Sequence, residues 1–189
     1  GGNGTSFSYA DVDFFLLDDR SFRVPPDVVT AKPTLLGQPQ IDRLIQMLKY
    51  SDASFKIVAL GGQFLNTAAV FENYATYTEE RQQVIDRIEK EGITGVVFLT
   101  GDRHYSDLSK LELKEGNVLY DLTVSPLTSG VHAKKEDNTL AVPGTYVEQR
   151  NFATLSFKGP RKARTLVMAL HDADGNLLWE RTVAAPVKP

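Results

Sequence analysis

Three short apolar runs, each breaking off into charged or glycine-rich residues, constrain this chain more than any other feature. Phe14-Phe15-Leu16-Leu17 ends at Asp18-Asp19-Arg20, Phe55–Leu60 ends at Gly61-Gly62-Gln63, and Val96-Val97-Phe98-Leu99 leads through Thr100 into Gly101-Asp102-Arg103-His104. Side chains alternate between the two faces of a strand, so an unbroken apolar run suits a strand covered on both sides. Such strands build layered α/β sheets, where ligands collect just beyond the carboxyl ends. Glycine permits a tight turn there, and Asp102 and His104, two positions apart, can then aim a carboxylate and an imidazole at one point. By spacing alone, that turn is as readily a polar loop with an incidental histidine.

The intervening segments fit the same picture. Ser6–Tyr9 and Val12–Leu17 read as two strand pieces around Asp11, followed by a loop broken by Pro25, Pro26 and Pro33. Gln38–Tyr50 predicts an amphipathic helix, with Pro39 near its start and Ile41, Leu44, Ile45 and Leu48 on one face. Residues 64–77 are irregular, and their aromatics Phe64, Phe71, Tyr74 and Tyr77 suggest a loop mini-core. Thr78 is a candidate cap for a helix over 79–91, with Glu79 and Glu80 at its positive end, Val84, Ile85 and Ile88 facing inward, and Gly92 stopping it.

The first half is therefore β, α, β, α, β. The second half changes character: Leu108–Leu113, Val118–Val124, Phe152–Phe157, Thr165–His171 and Leu177–Val183 are strand-like, with Asp174-Gly175 as a hairpin turn and a polar loop over 125–150. No repeat, low-complexity tract or linker divides the chain, so residues 1–189 read as a single α/β domain with an antiparallel β portion.

Composition removes several function classes. The net charge is −3 and no basic cluster exceeds Lys134-Lys135 or the loose Arg161-Lys162-Ala163-Arg164, so nucleic acid is not an expected partner. Without cysteine there is no disulfide, thiolate ligand or thiol nucleophile. No apolar run approaches the ~20 residues of a membrane span. The start, Gly1-Gly2-Asn3-Gly4-Thr5, lacks an initiator Met and leads at once into a strand, which gives the expectation that Gly1 is an internal position of a longer protein.

If the sheet gathers the three strand ends, one rim carries carboxylates, an amide, an imidazole and a guanidinium, which suits hard or borderline metal ions with an anionic substrate. Blander readings exist for each part. Asp18, Asp19 and Arg20 can form a local ion pair, and Gly61-Gly62 a plain turn. His132, near Lys134 and Lys135, reads as a surface histidine. His171-Asp172-Ala173-Asp174-Gly175 lacks the remaining ligands of a calcium loop and reads as a hairpin tip. Trp179 reads as core, and no Gly-x-Ser-x-Gly elbow supports a serine nucleophile.

With these residues in order, the chain resembles the C-terminal half of the alkaline phosphatase D (PhoD-like) metallophosphoesterases. Leu17-Asp18-Asp19-Arg20-Ser21-Phe22-Arg23 is similar to the family's Leu-Asp-x-Arg-x-Tyr-Arg, with Phe22 where Tyr is usual. Leu35-Leu36-Gly37-Gln38 with Gln40 resembles its Leu-Gly-x-x-Gln helix start, and Gly61-Gly62-Gln63 its small-x-Gln turn. Gly101-Asp102-Arg103-His104-Tyr105-Ser106 resembles its Gly-Asp-x-His-x-Ser motif, and Ser125-Pro126-Leu127-Thr128-Ser129-Gly130 its Ser-Pro-Leu-Thr-Ser-Gly loop.

The resemblance implies half of a four-layer αββα sandwich that hydrolyses phosphomonoesters or phosphodiesters by a metal-activated hydroxide. It implies Asp102 and His104 as metal ligands, Arg20 and His104 as catalytic residues, and Arg20 and Gln63 as substrate contacts, with Asp18 orienting Arg20 or a ligand. Two or more ions are implied, iron and/or calcium first, with zinc and manganese open. It also implies export to a periplasmic, extracellular or cell-surface location, and a phosphate ester substrate. The missing N-terminal half, with the remaining ligands, is an expected partner, because a lone half-sandwich would leave a large apolar sheet face bare. Two other readings stand beside this one: a non-catalytic α/β binding or structural module, and hydrolysis of another ester or anhydride through the same metals.

Overall fold

Side-chain alternation on the central strands splits the core in two and sets the layering. The structure, a computed structural model, describes residues 2–132 and 136–186; Gly1 and the pair Lys134-Lys135 lie outside the described residues. Strands β1 (Thr5–Tyr9), β2 (Val12–Leu16), β3 (Phe55–Ala59), β4 (Val96–Thr100), β5 (Asp107–Glu112) and β6 (Val118–Thr123) form one sheet in the order β1-β2-β3-β4-β6-β5. The four inner strands run parallel and the two edge strands antiparallel to their neighbours. Strands β7 (Asn151–Lys158), β8 (Thr165–Asp172) and β9 (Leu177–Ala184) form a second, antiparallel sheet.

Helices α1 (Gln38–Tyr50) and α2 (Thr78–Lys90) make the crossovers between the parallel strands β2, β3 and β4. Their stripes Ile41, Leu44, Ile45, Leu48 and Val84, Ile85, Ile88 pack on Phe15, Val58, Val96 and Phe98 from one face of the large sheet. The opposite face, Val12, Ile57, Val97 and Leu122, packs on Leu166, Met168, Leu170 and Trp179 of the second sheet. The stack is thus helix, sheet, sheet, and the α/β-plus-antiparallel expectation holds. Among the described residues no helix is long and apolar enough to cross a membrane.

Several local expectations are corrected. Thr78 is the first residue of α2 rather than its cap, and its hydroxyl donates back to the Ala75 carbonyl at 3.0 Å. Phe64, Tyr74 and Tyr77 belong to the main core instead of a loop mini-core, while Phe71 is 72% exposed. The broad bare sheet face does not appear, because the chain's own second sheet covers much of it. What remains exposed is at the β1–β2 edge, at Phe7, Tyr9 and Leu16. As expected of half a four-layer sandwich, the chain carries helix, sheet and sheet: both α-helices serve the first core, and the outer face of β7 is open at Phe152, Thr154, Ser156 and Lys158.

The loop before α1 is tied down by one carboxylate. Buried Glu80 accepts the backbone N–H groups of Leu35 (3.1 Å) and Leu36 (2.7 Å), the Tyr74 hydroxyl (2.6 Å) and the Thr34 hydroxyl. Burial, and then the Glu80 charge, push the Tyr74 phenol far above its ordinary pKa, so it remains a donor. Replacing Glu80 by Ala strands two buried N–H groups. Glu80→Ala is expected to lower stability by about 3 kcal/mol, and Glu80→Gln by clearly less, read as urea midpoints with unchanged slope.

Candidate functional site

The three strand ends finish side by side because the parallel ladder continues past them. Leu17 N–H donates to Ala59 O (2.9 Å), Leu60 N–H to Leu99 O (3.1 Å), Gly101 N–H to Gly61 O (3.0 Å) and Val124 N–H to Thr100 O (2.9 Å). Asp19 closes the first junction by accepting the N–H groups of Gly61 (2.9 Å) and Gly62 (3.3 Å). A Cβ on Gly61 would stand 2.6 Å from Asp19 Oδ2, so a side chain there would displace the Asp19 carboxylate from these N–H groups.

Asp18 organises the turn that follows. Its carboxylate accepts the backbone N–H groups of Asn3 (2.8 Å), Arg20 (2.9 Å) and Ser21 (2.9 Å). The Ser21 hydroxyl foremost, then these N–H groups, hold the Asp18 carboxyl far below the usual carboxylate range. Asp18 therefore fixes Arg20 through its backbone. The Arg20 guanidinium is exposed and reaches Glu72 at 2.6 Å, and Glu72 also pairs with Arg23 at 2.7 Å.

The Gly-Asp-Arg-His turn alternates. Asp102 and His104 are exposed and Arg103 between them is buried, with left-handed backbone at both Asp102 (φ 66) and His104 (φ 59). His104 N–H donates to Ser125 Oγ (3.1 Å), and His104 O accepts the His132 N–H (2.8 Å). Among the described residues, the strand-end carboxylate and imidazole thus stand without a side-chain partner at the rim.

Gln63 does not join them. It is 0% exposed, and its amide nitrogen donates to Thr123 Oγ1 (2.9 Å) and Asp107 Oδ1 (3.2 Å) while its oxygen accepts from Asn66 (2.6 Å). It braces the floor beneath the rim, out of a substrate's reach. In that floor Asp121 accepts the N–H groups of Phe64 (2.8 Å) and Leu65 (2.7 Å) and the Thr100 hydroxyl (2.8 Å). Burial first, then the neighbouring Asp121 carboxylate, push the Asp107 carboxyl up to about 6.

A carboxylate oxygen and an imidazole nitrogen are donors that a hard or borderline ion accepts. Among the described residues no group of three or more His, Cys, Asp or Glu side chains is placed to hold an ion, so Asp102 and His104 do not by themselves make a closed ion site.

Sequence reasoning missed the place of His132, whose backbone touches His104 and whose ring stands edge-on to Phe71 at 6.4 Å. It also missed Glu72, Glu136 and the buried carboxylates Asp107 and Asp121. Only the motif position of Ser125 pointed toward the partner of His104.

A model of the family described as PhoD-like phosphatase matches residues 5–167. Among solved structures, one described as the structure of PhoD superposes with TM-score 0.70 at 18% identity, covering 98% of this chain and 44% of that one. The chain therefore spans less than half the length of that relative, and the likeness extends to the fold alone. A single mutant of Vps29 from Entamoeba histolytica overlaps at 11% identity over 90% of this chain and 98% of its own, with a TM-score of 0.31 that is too low to bear on the fold. Curated proteins give no match.

The Asp107 carboxyl binds its proton more tightly folded than unfolded, where its pKa is about 3.9. Its ionisation therefore costs stability above pH 6, and the loss is regained as pH falls toward 4. Between pH 7 and pH 5, the wild type is expected to gain about 1 kcal/mol relative to Asp107→Asn, measured by denaturant unfolding of both at each pH.

Proposed function

Because the chain belongs to the PhoD-like phosphatase family, we propose that it forms the carboxyl-terminal part of a metal-dependent phosphoesterase acting on phosphomonoesters or phosphodiesters. The observation that carries this reading is the outward display of Asp102 and His104 by a left-handed turn at the end of the central strand β4. These two residues would hold metal. Ions bound there would lower the pKa of a water and screen the phosphate charge.

The other rim residues have separable tasks. Arg20 is the candidate contact for the phosphate oxygens. Its exposed pair with Glu72 is weak, and Glu72 keeps Arg23 when Arg20 turns to an anion. Asp18 and Asp19 hold the rim backbone, and Gln63 supports it from below. One carboxylate with one imidazole favours iron and/or calcium, with zinc or manganese next. Two ligands are too few for such a centre, so the rest would come from the other half of the fold. Export is proposed by family likeness.

The test is hydrolysis of p-nitrophenyl phosphate and bis(p-nitrophenyl) phosphate by the intact protein, with and without a chelator. Asp102→Asn and His104→Ala are each expected to lower kcat/KM about 100-fold with folding preserved, and chelation to abolish turnover reversibly. Activity that survives both substitutions would overturn the assignment. A folded intact protein that carries no metal would favour a non-catalytic module instead.

A further inference from the structure

The two exposed residues of the Gly-Asp-Arg-His turn sit in strained backbone. Left-handed φ at a non-glycine residue costs about 1 kcal/mol or more, and it persists where the surroundings over-determine it. Something must therefore hold Asp102 and His104 as they are.

The hold comes from the residue between them. Arg103 turns inward, its side chain 6% exposed, and pairs with Glu136, whose side chain is 8% exposed. The guanidinium carbon lies 4.6 Å from the ring centre of Phe71 and 5.9 Å from that of Tyr105. Glu136 Oε2 also stands 3.1 Å from the Tyr105 hydroxyl and 3.3 Å from Asn66 Nδ2. Arg103 and Tyr105 flank His104, so one carboxylate grips the turn on both sides of that residue. Asn66 in turn donates to Gln63, which joins the grip to the floor of the rim. A buried ion pair is a poor source of net stability, because desolvation offsets its Coulomb attraction, but it fixes direction well.

We propose that Glu136 is a positioning residue, which draws Arg103 inward and thereby holds Asp102 and His104 in the left-handed turn that leaves both side chains open at the rim. Its consequence for catalysis rests on the phosphoesterase reading, whereas the clamp itself does not. Nothing in the local sequence announces the pairing, since Glu136 lies in the polar loop far along the chain from Arg103.

The test compares Glu136→Ala and Glu136→Gln with Asp11→Asn, which removes the carboxylate from the 2.7 Å Arg164–Asp11 pair in the β1–β2 turn, at the other end of β2 from the rim. Two readouts are taken on the intact protein: backbone amide exchange over residues 102–106, and affinity for Mn²⁺ by calorimetry. Glu136→Ala is expected to speed exchange in the turn about tenfold and weaken Mn²⁺ binding about 10- to 100-fold. Glu136→Gln should fall between, and Asp11→Asn should leave both readouts near wild type despite a similar loss of thermal stability. Exchange in the turn and Mn²⁺ affinity within twofold of wild type in the Glu136 variants would overturn the proposal, leaving a plain buried ion pair. Should Glu136→Ala fail to fold, Glu136→Gln decides. A wild-type protein that binds no metal sinks the phosphoesterase reading, and the exchange measurement then decides the clamp by itself.

Discussion

A fully buried carboxylate, Asp121, is the interaction on which the rim is built. It faces the helix side of β6 and accepts the N–H groups of Phe64 and Leu65, the first two residues past the Gly61-Gly62-Gln63 turn. Arg81 grips the same two residues from α2, its Nε and Nη2 donating to the carbonyls of Phe64 (2.7 Å) and Leu65 (2.9 Å). Donors and acceptors of one short segment are thus satisfied by opposite charges on two different elements. Burial raises the Asp121 pKa, while the N–H groups, the Thr100 hydroxyl and the Arg81 charge oppose that rise. With the segment held, Gln63 can point only downward into the floor, and Phe64 stacks on Phe98 with ring centres 3.9 Å apart.

This arrangement separates two jobs that strand ends often share. The polar groups beneath the rim, Gln63, Asn66, Asp107 and Asp121, bond mostly to each other and to backbone, and in a low-dielectric setting such bonds resist rearrangement. The groups above it, Asp102, His104 and Arg20, are exposed and lightly held, which leaves them able to take up a ligand. Arg103 and Glu136 connect the levels, since the pair is buried yet flanks both exposed residues of the turn.

How far this was legible in the sequence depended on the range of the cause. The strands of both sheets followed from apolar runs, and the helices from stripes at three- and four-residue spacing, because burial on a face leaves a periodic trace. Gly61 could be placed at a turn, although its close contact with the Asp19 carboxylate, in the turn after β2, could not. The downward direction of Gln63 could not be read, because an exposed contact and a buried brace look alike in Gly-Gly-Gln. Nor could the left-handed backbone at Asp102 and His104, which a neighbour distant in the chain stabilises. Thr78 misled for a related reason: the 3₁₀ turn over Tyr74–Tyr77 runs directly into α2 and shifts the helix start by one residue.

The remaining apolar exposure has a geometric origin. Neighbouring strands lie about 4.8 Å apart, so a six-stranded sheet is roughly 24 Å from edge to edge and a three-stranded one about 10 Å. Three strands cannot cover six. The second sheet reaches β3, where Phe157 of β7 meets Phe55 at 5.8 Å, and it runs from there toward β4 and β6. Strand β1 and the far end of β2 fall beyond its edge, and there Phe7 stacks on Phe14 at 4.8 Å while Tyr9 and Leu16 stay exposed. The apolar patch therefore marks where the narrower sheet ends.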